Sequence, residues 1–152
     1  MKKLIFPAIV LLAVACGDGE PAPAERTDGF SKKAETPQDS LFDEVMHGHD
    51  VAMAKMGKIG KYRKELQGKI DSLSKVGGAA KASLQSSLKE LEAELKVAED
   101  GMNKWMEEFE IDSAQDDIAR RIQYLTSEKL KVDDVKEKIF NAVNKADSIL
   151  KK

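Results

Sequence analysis

A heptad pattern limits the fold of this chain more than any other feature of its sequence. Between residues 42 and 73, apolar or semi-apolar residues recur at alternating spacings of three and four and form two rows, with Arg63 as a polar exception. One row contains Phe42, His49, Met56, Arg63 and Ile70. The other contains Val45, Ala52, Ile59, Leu66 and Leu73. Such spacing places both rows on one side of an α-helix, and this side must be buried against a partner.

The same pattern occurs twice more, with a polar residue in a few positions. The second segment has rows of Leu84, Leu91, Ala98 and Trp105, and of Leu88, Leu95, Met102 and Phe109. The third has rows of Ile118, Leu125, Val132, Ile139 and Ala146, and of Arg121, Glu128, Val135, Ala142 and Ile149. The pattern therefore predicts three long helices, over about 37–75, 79–110 and 114–150.

Local signals place the ends of these helices. Thr36 with Pro37 and Asp39 is typical of a helix start, with Thr at the cap and a carboxylate three residues later. Gly77-Gly78 is expected to end the first helix, because glycine readily adopts positive φ. Ile111-Asp112 indicates a short turn, and Ser113 with Asp116 predicts the start of the third helix.

Short connections make consecutive helices antiparallel neighbours. The sequence therefore predicts an all-α protein, an elongated up-down-up three-helix bundle with coiled-coil-like heptad packing. Three helices of one chain can bury the heptad rows, so a monomer or a small homo-oligomer is expected. The alternative is a long helical hairpin that dimerises.

The charge distribution argues against nucleic acid as a partner. Charged residues make up 34% of the chain and its formal net charge is −2. Lys and Glu are mixed along the predicted helices, whereas nucleic-acid binding needs a basic face. The familiar motifs of serine hydrolases, thiol oxidoreductases, zinc peptidases and phosphate-binding loops do not occur in the sequence. We therefore expect a protein that is not an enzyme and has no cofactor.

The N-terminal residues predict export and lipidation. Lys2 and Lys3 precede an apolar run over residues 4–14, too short for a membrane span. Ala13-Val14-Ala15-Cys16 resembles a lipobox, with Cys16 as the lipidated residue, although it also fits an ordinary signal-peptidase site. Residues 1–15 are thus a predicted signal peptide, 16–35 a Gly- and Pro-containing tether, and 36–152 the bundle. The expected location is the cell envelope, with a lipid anchor in the membrane.

Register about the two turns predicts which residues meet. Pairing about Gly77-Gly78 puts His49 level with Trp105, and pairing about Ile111-Asp112 puts Trp105 near Ile118. Arg63 and Glu128, which interrupt the heptad rows, then lie about one turn apart. The expectation is a salt bridge between them that fixes the register.

The stretch MHGHDVAMAKMG, residues 46–57, allows three interpretations. A soft-metal site for Cu(I) or Ag(I) would use Met46, His49, Met53 and Met102, with Met106 as a further ligand from the second helix, because thioether and imidazole ligands suit these ions. The second interpretation is core packing, in which methionines fill gaps beside Trp105 while Gly57 and Gly60 allow close helix approach. Binding of an apolar small molecule at the same end of the bundle is a third possibility.

Three stretches resemble a known family: HDVAMAKMGKIGKYRKEL (49–66), GMNKWMEEFE (101–110) and YLTSEKLKVDDVKEKIFNAVNKADSIL (124–150). They are similar to uncharacterised lipoproteins of Bacteroidetes-type bacteria that often carry the label "viral A-type inclusion protein". The resemblance implies a helical envelope lipoprotein and transfers no functional residue. The expected function is a non-enzymatic helical bundle for interaction with an envelope protein, or a structural or stress role. The alternative is a periplasmic Cu(I)- or Ag(I)-binding protein.

Overall fold

The computed structural model describes residues 36–75 and 78–151. Over these residues it contains three α-helices, α1 (Pro37–Ser74), α2 (Ala79–Glu108) and α3 (Ile118–Leu150). Each helix packs against the other two, so the predicted all-α three-helix bundle is confirmed. The predicted signal peptide, Cys16 and the tether lie outside the described residues. No helix within the described ranges is long and apolar enough to cross a membrane.

The helix α1 begins with the cap that the sequence predicts. The Thr36 hydroxyl accepts a hydrogen bond from the Asp39 backbone N–H at 3.3 Å. In return, the Asp39 carboxylate accepts one from the Thr36 N–H at 3.1 Å. These two bonds satisfy donors that the first turn leaves without helical partners. The chain enters α2 through Gly78, whose φ of 129° suits glycine and strains other residues.

The start of α3 differs from the prediction. Ser113 and Asp116 do not cap it; Asp117 does, and its carboxylate accepts a hydrogen bond from the Arg120 N–H at 3.1 Å. Two contacts from α3 hold the preceding connection. The Arg121 guanidinium donates to the Ser113 carbonyl at 2.8 Å, and the Tyr124 hydroxyl accepts from the backbone N–H of residue 110 at 2.7 Å. The connection over 109–117 is therefore longer than the predicted turn.

Contacts between the helices give an up-down-up order. The helices α1 and α3 are parallel, because Glu44 lies 3.8 Å from Lys129 and, further along both, Lys58 lies 2.5 Å from Asp147. The helix α2 runs the other way. Trp105, near its end, contacts His49, while Gln85, near its start, donates to the carbonyl of Ile70.

The register between α1 and α2 follows the prediction, whereas that between α2 and α3 does not. His49 lies level with Trp105 as expected. Trp105, however, bonds to Glu128 rather than lying near Ile118. The longer connection after α2 moves α3 by about ten residues, or roughly 15 Å at 1.5 Å per residue. This shift changes the partners of Arg63 and Glu128, two polar residues that the heptad rows contain.

The core is built from the predicted rows, except near the helix ends. Buried apolar residues of the rows include Val45, Ala52, Ile59, Leu66, Leu91, Leu95, Ala98, Met102, Leu125, Val132, Ile139 and Ala146. Leu84, Ile118 and Ile149 belong to the same rows but are exposed, with Ile118 63% exposed. The heptad pattern therefore continues beyond the part of each helix that has a partner to cover it.

Close approach of α1 to α3 occurs at Gly48. A Cβ atom on this buried glycine would lie 3.1 Å from a methyl group of Val132 on α3. Gly57 and Gly60, which the sequence suggested for close approach, are exposed, and a Cβ on either would meet nothing within 4 Å. That expectation was wrong, because both glycines lie on the solvent side of α1.

Candidate functional site

The histidine of the predicted metal site, His49, lies on α1 with both ring nitrogens engaged. Its Nδ1 is 3.0 Å from the Asp50 carboxylate. Its Nε2 is 3.4 Å from the sulfur of Met106, on α2. The ring also packs on Trp105, with centroids 5.7 Å apart and planes inclined by 35°. The imidazole is thus held in one orientation by groups from two helices.

Of the two α2 methionines that the sequence offers as ligands, Met106 reaches His49 and Met102 does not. Met102 is fully buried in the core, whereas the sulfur of Met106, one turn further along α2, is 3.4 Å from Nε2 of His49. Met46 and Met53 are half-buried on α1, and Met53 packs against the core. The heptad rows contain Met102 but not Met106, so the pattern assigns Met102 to the core, whereas the contact of Met106 with His49 depends on how the helices pack.

The second histidine, His47, takes no part in this contact. It is exposed and lines a shallow groove between α1 and α3 with Gly48, Asp43 and Lys129. Within residues 36–75 and 78–151, no group of three or more His, Cys, Asp or Glu side chains could hold a metal ion.

Aromatic rings pack together at the same end of the bundle. Phe109 contacts Trp105 with centroids 4.9 Å apart, Tyr124 at 6.1 Å and Phe42 at 6.5 Å. The guanidinium of Arg121 lies 5.8 Å from the centre of the Phe42 ring, a cation–π distance. These contacts connect all three helices beside His49. This is the end of the bundle at which the sequence suggested binding of an apolar small molecule.

Glu128 is a polar residue of the core with two partners. Its Oε2 accepts a hydrogen bond from the Trp105 indole at 3.0 Å, and its Oε1 accepts from Lys131 at 2.7 Å. Burial, together with the nearby Glu128 charge, raises the pKa of the Tyr124 hydroxyl. Among the described residues, no buried side-chain nitrogen or oxygen lacks a hydrogen-bond partner. Glu128 is therefore explained as a structural group.

The predicted Arg63–Glu128 salt bridge is wrong. Arg63 pairs with two carboxylates of α2, with Glu92 at 3.0 Å and with Glu99. Glu128 lies near the opposite end of the bundle, since its neighbour Lys129 is beside Glu44. The cause is the shifted register of α3, which no signal in the sequence revealed. Arg63 still occupies a heptad position and still joins two helices, as was expected of it.

Comparisons of this chain with protein-family models, with curated proteins and with solved structures found no match. The resemblance to envelope lipoproteins stays a prediction. The function must therefore be inferred from the residues of the chain and their geometry.

Proposed function

We propose that this chain is a non-enzymatic lipoprotein of a bacterial cell envelope. It is anchored through Cys16 and presents a helical bundle that binds another envelope protein, or that has a structural or stress role. The observation that carries the proposal is the order of three segments. An apolar run ends in Ala13-Val14-Ala15-Cys16, a Gly- and Pro-containing segment follows, and the folded unit begins at the Thr36 capping box.

The position of the capping box supports the predicted tether. Because α1 begins directly after Thr36, the whole segment from 16 to 35 separates the anchoring cysteine from the bundle. A flexible segment of this length has a root-mean-square span of roughly 25 Å. The bundle would then project from the bilayer surface and be available to a protein in the same compartment.

The anchor is tested by metabolic labelling with an alkyne fatty acid, followed by fractionation and mass spectrometry of the N-terminal peptide. The full chain is expected to carry label in the membrane fraction, and Cys16→Ser to lose both label and membrane association. Gly17→Ala is the matched control and should remain labelled. An N-terminal peptide that starts at an unmodified Cys16 would contradict lipidation, because it indicates the ordinary signal peptidase.

The protein partner is proposed to contact an apolar groove between α2 and α3. Val97 is 62% exposed there and lines a groove of about 570 Å³ with Ala93 and Ala142, while Glu94 and Lys138 also border it. Apolar floors with charged rims are typical of protein interfaces.

A photo-crosslinking amino acid at Val97 tests this surface in intact cells. We expect a discrete heterologous adduct at Val97, and no such adduct when the same group replaces the exposed Asn103 of α2. Equal adducts at both positions, or none at Val97, would argue against this groove as the interface. A structural role would then be the better explanation of the bundle.

A further inference from the structure

His49 and Met106 bring a ring nitrogen and a soft thioether sulfur together across two helices. The imidazole Nε2 of His49 lies 3.4 Å from the thioether sulfur of Met106. The two residues are distant in sequence, and they meet because α1 and α2 are antiparallel at this level. A thioether has no hydrogen to donate, so the character of the contact depends on where the imidazole carries its proton.

The carboxylate of Asp50 determines which nitrogen of the neutral His49 ring carries the proton. This carboxylate lies 3.0 Å from Nδ1 of His49 and can accept a hydrogen bond but not donate one. The favoured neutral tautomer therefore has the hydrogen on Nδ1 and a lone pair on Nε2. This lone pair faces the sulfur of Met106. A carboxylate that holds a histidine in this way is the usual outer partner of a metal-binding imidazole.

We propose that His49 and Met106 form a binding site for a soft monovalent cation, Cu(I) or Ag(I). Thioether sulfur is a soft ligand that selects such ions, and imidazole nitrogen is a ligand that also suits copper. With bonds of roughly 2.0 Å to nitrogen and 2.3 Å to sulfur, the values of zinc–histidine and zinc–cysteine sites, atoms 3.4 Å apart meet at the ion at an angle of roughly 100–110°. The ion then lies to one side of the line that joins the two atoms, and a rotation of the exposed Met106 side chain brings the sulfur to it.

Two further methionines lie on the same helix near His49. Met46 and Met53 precede and follow His49 by three and four residues, so they share its side of α1. Both are half-buried. Met102 is excluded, because its side chain is fully buried in the core. The site is open to solvent, since the His49 side chain is 19% exposed and Met106 is 38% exposed.

Trp105 provides the readout for a binding experiment. It is the one tryptophan of the chain, and its ring centroid is 5.7 Å from that of His49. The experiment uses the full chain in mild detergent with Cys16→Ser, because a free thiolate would itself capture a soft ion. Cu(I) is titrated anaerobically against a competing chelator, and Ag(I) and Zn(II) are titrated in parallel.

The expected result is saturable quenching of Trp105 by Cu(I) and Ag(I) at one ion per chain, without quenching by Zn(II). His49→Gln and Met106→Leu should each weaken binding at least tenfold, because loss of a ligand exceeds the roughly 10–100-fold effect of losing an outer partner. His47→Gln and Met102→Leu are the matched controls and should bind as the parent does. Circular dichroism checks that every variant is folded.

Three outcomes would overturn the site. The first is the absence of saturable quenching in the folded parent. The second is an affinity in His49→Gln and Met106→Leu equal to that of the controls. The third is an equal loss in His47→Gln, which would indicate binding to any surface histidine. None of these outcomes bears on lipidation of Cys16, because all variants lack that cysteine.

Discussion

The indole Nε1 of Trp105 on α2 donates a hydrogen bond of 3.0 Å to the carboxylate of Glu128 on α3. Glu128 is 3% exposed, and its second oxygen accepts a hydrogen bond from Lys131. A buried carboxylate without partners would be costly, and a buried indole N–H would be as well. The two groups form this bond at one alignment of α2 and α3. The bond therefore opposes sliding of one helix along the other.

Replacement of Glu128 by an apolar residue is expected to destabilise the bundle. Glu128→Met keeps the length of the side chain but leaves the Trp105 N–H without its acceptor, at a cost of about 1–3 kcal/mol in the free energy of unfolding. Glu137→Met, on the exposed side of α3, is the matched control and should change it by less than about 0.5 kcal/mol. Urea unfolding followed by circular dichroism measures both. Equal effects would show that the buried hydrogen bond contributes nothing specific.

Alanine in place of glycine should have opposite effects at two positions of α1. Gly57→Ala gains helix propensity and meets nothing within 4 Å, so we expect stabilisation of about 0.5–1 kcal/mol. Gly48→Ala places a methyl group 3.1 Å from Val132, which is fully buried and cannot easily yield. Overpacking of this kind costs about 1–3 kcal/mol, so a net loss is expected.

A compensating substitution on α3 tests whether crowding against Val132 causes the loss of stability in Gly48→Ala. Val132→Ala in the Gly48→Ala background removes the crowded methyl groups, and the two substitutions together should cost less than the sum of their separate effects. Thermal unfolding of the four proteins measures this. A stabilising Gly48→Ala would mean that α1 and α3 can separate there at little cost.

A double-mutant cycle distinguishes the observed partner of Arg63 from the predicted one. Arg63 and Glu92 are 3.0 Å apart and about a quarter exposed each, so Arg63→Ala with Glu92→Ala should show a coupling of about 0.5–1 kcal/mol. The cycle of Arg63→Ala with Glu128→Ala should show less than about 0.5 kcal/mol, as expected for distant sites. Coupling in the second cycle and none in the first would require a different register of α3.

The pH dependence of stability should report on Asp147. Hydrogen bonds from Lys151, Lys58 and Tyr62 hold the pKa of this carboxyl well below its usual range. Because the pKa is lower in the folded chain, the stabilisation is fully present above the unfolded pKa of about 3.9. It is lost as the pH falls from there toward the folded pKa. Acid should therefore remove the contribution of Asp147.

The variant Asp147→Asn tests this dependence. Its urea midpoint should lie below that of the parent at neutral pH, and the two midpoints should converge in acid below about pH 4. Asp134→Asn is the control. Asp134 is 60% exposed and pairs with Lys138 of its own helix, so this variant should follow the parent throughout. A constant difference between Asp147→Asn and the parent at every pH would contradict a titrating contribution.

Much of the fold could be predicted from local signals. Heptad spacing is a property of each segment by itself, so it identified three helices and the buried row of each. The Thr36 capping box involves residues three apart in sequence, and it was predicted correctly for the same reason. The sequence also predicted that His49 lies level with Trp105. The connection at Gly78 is short, so it restricts where α2 can lie along α1.

The candidate site was predicted in part. The sequence identified His49 and Trp105 beside it, whereas only the structure shows that Met106, and not Met102, reaches His49. The heptad rows include Met102 and omit Met106, so the pattern assigns Met102 to the core, but it does not show that the sulfur of Met106 reaches His49. The buried bond from Trp105 to Glu128 was missed for a related reason, since each partner belongs to a different helix.

The sequence by itself determined that this chain forms three amphipathic helices, where the first one starts, and most of the residues that face inward. These properties depend on helical periodicity and on hydrogen bonds between near neighbours. The tertiary structure alone decided the register of α3 against the other helices, and with it the partners of Arg63 and Glu128. Its register depends on a nine-residue connection held by Arg121 and Tyr124, and such contacts exist only once the helices have packed.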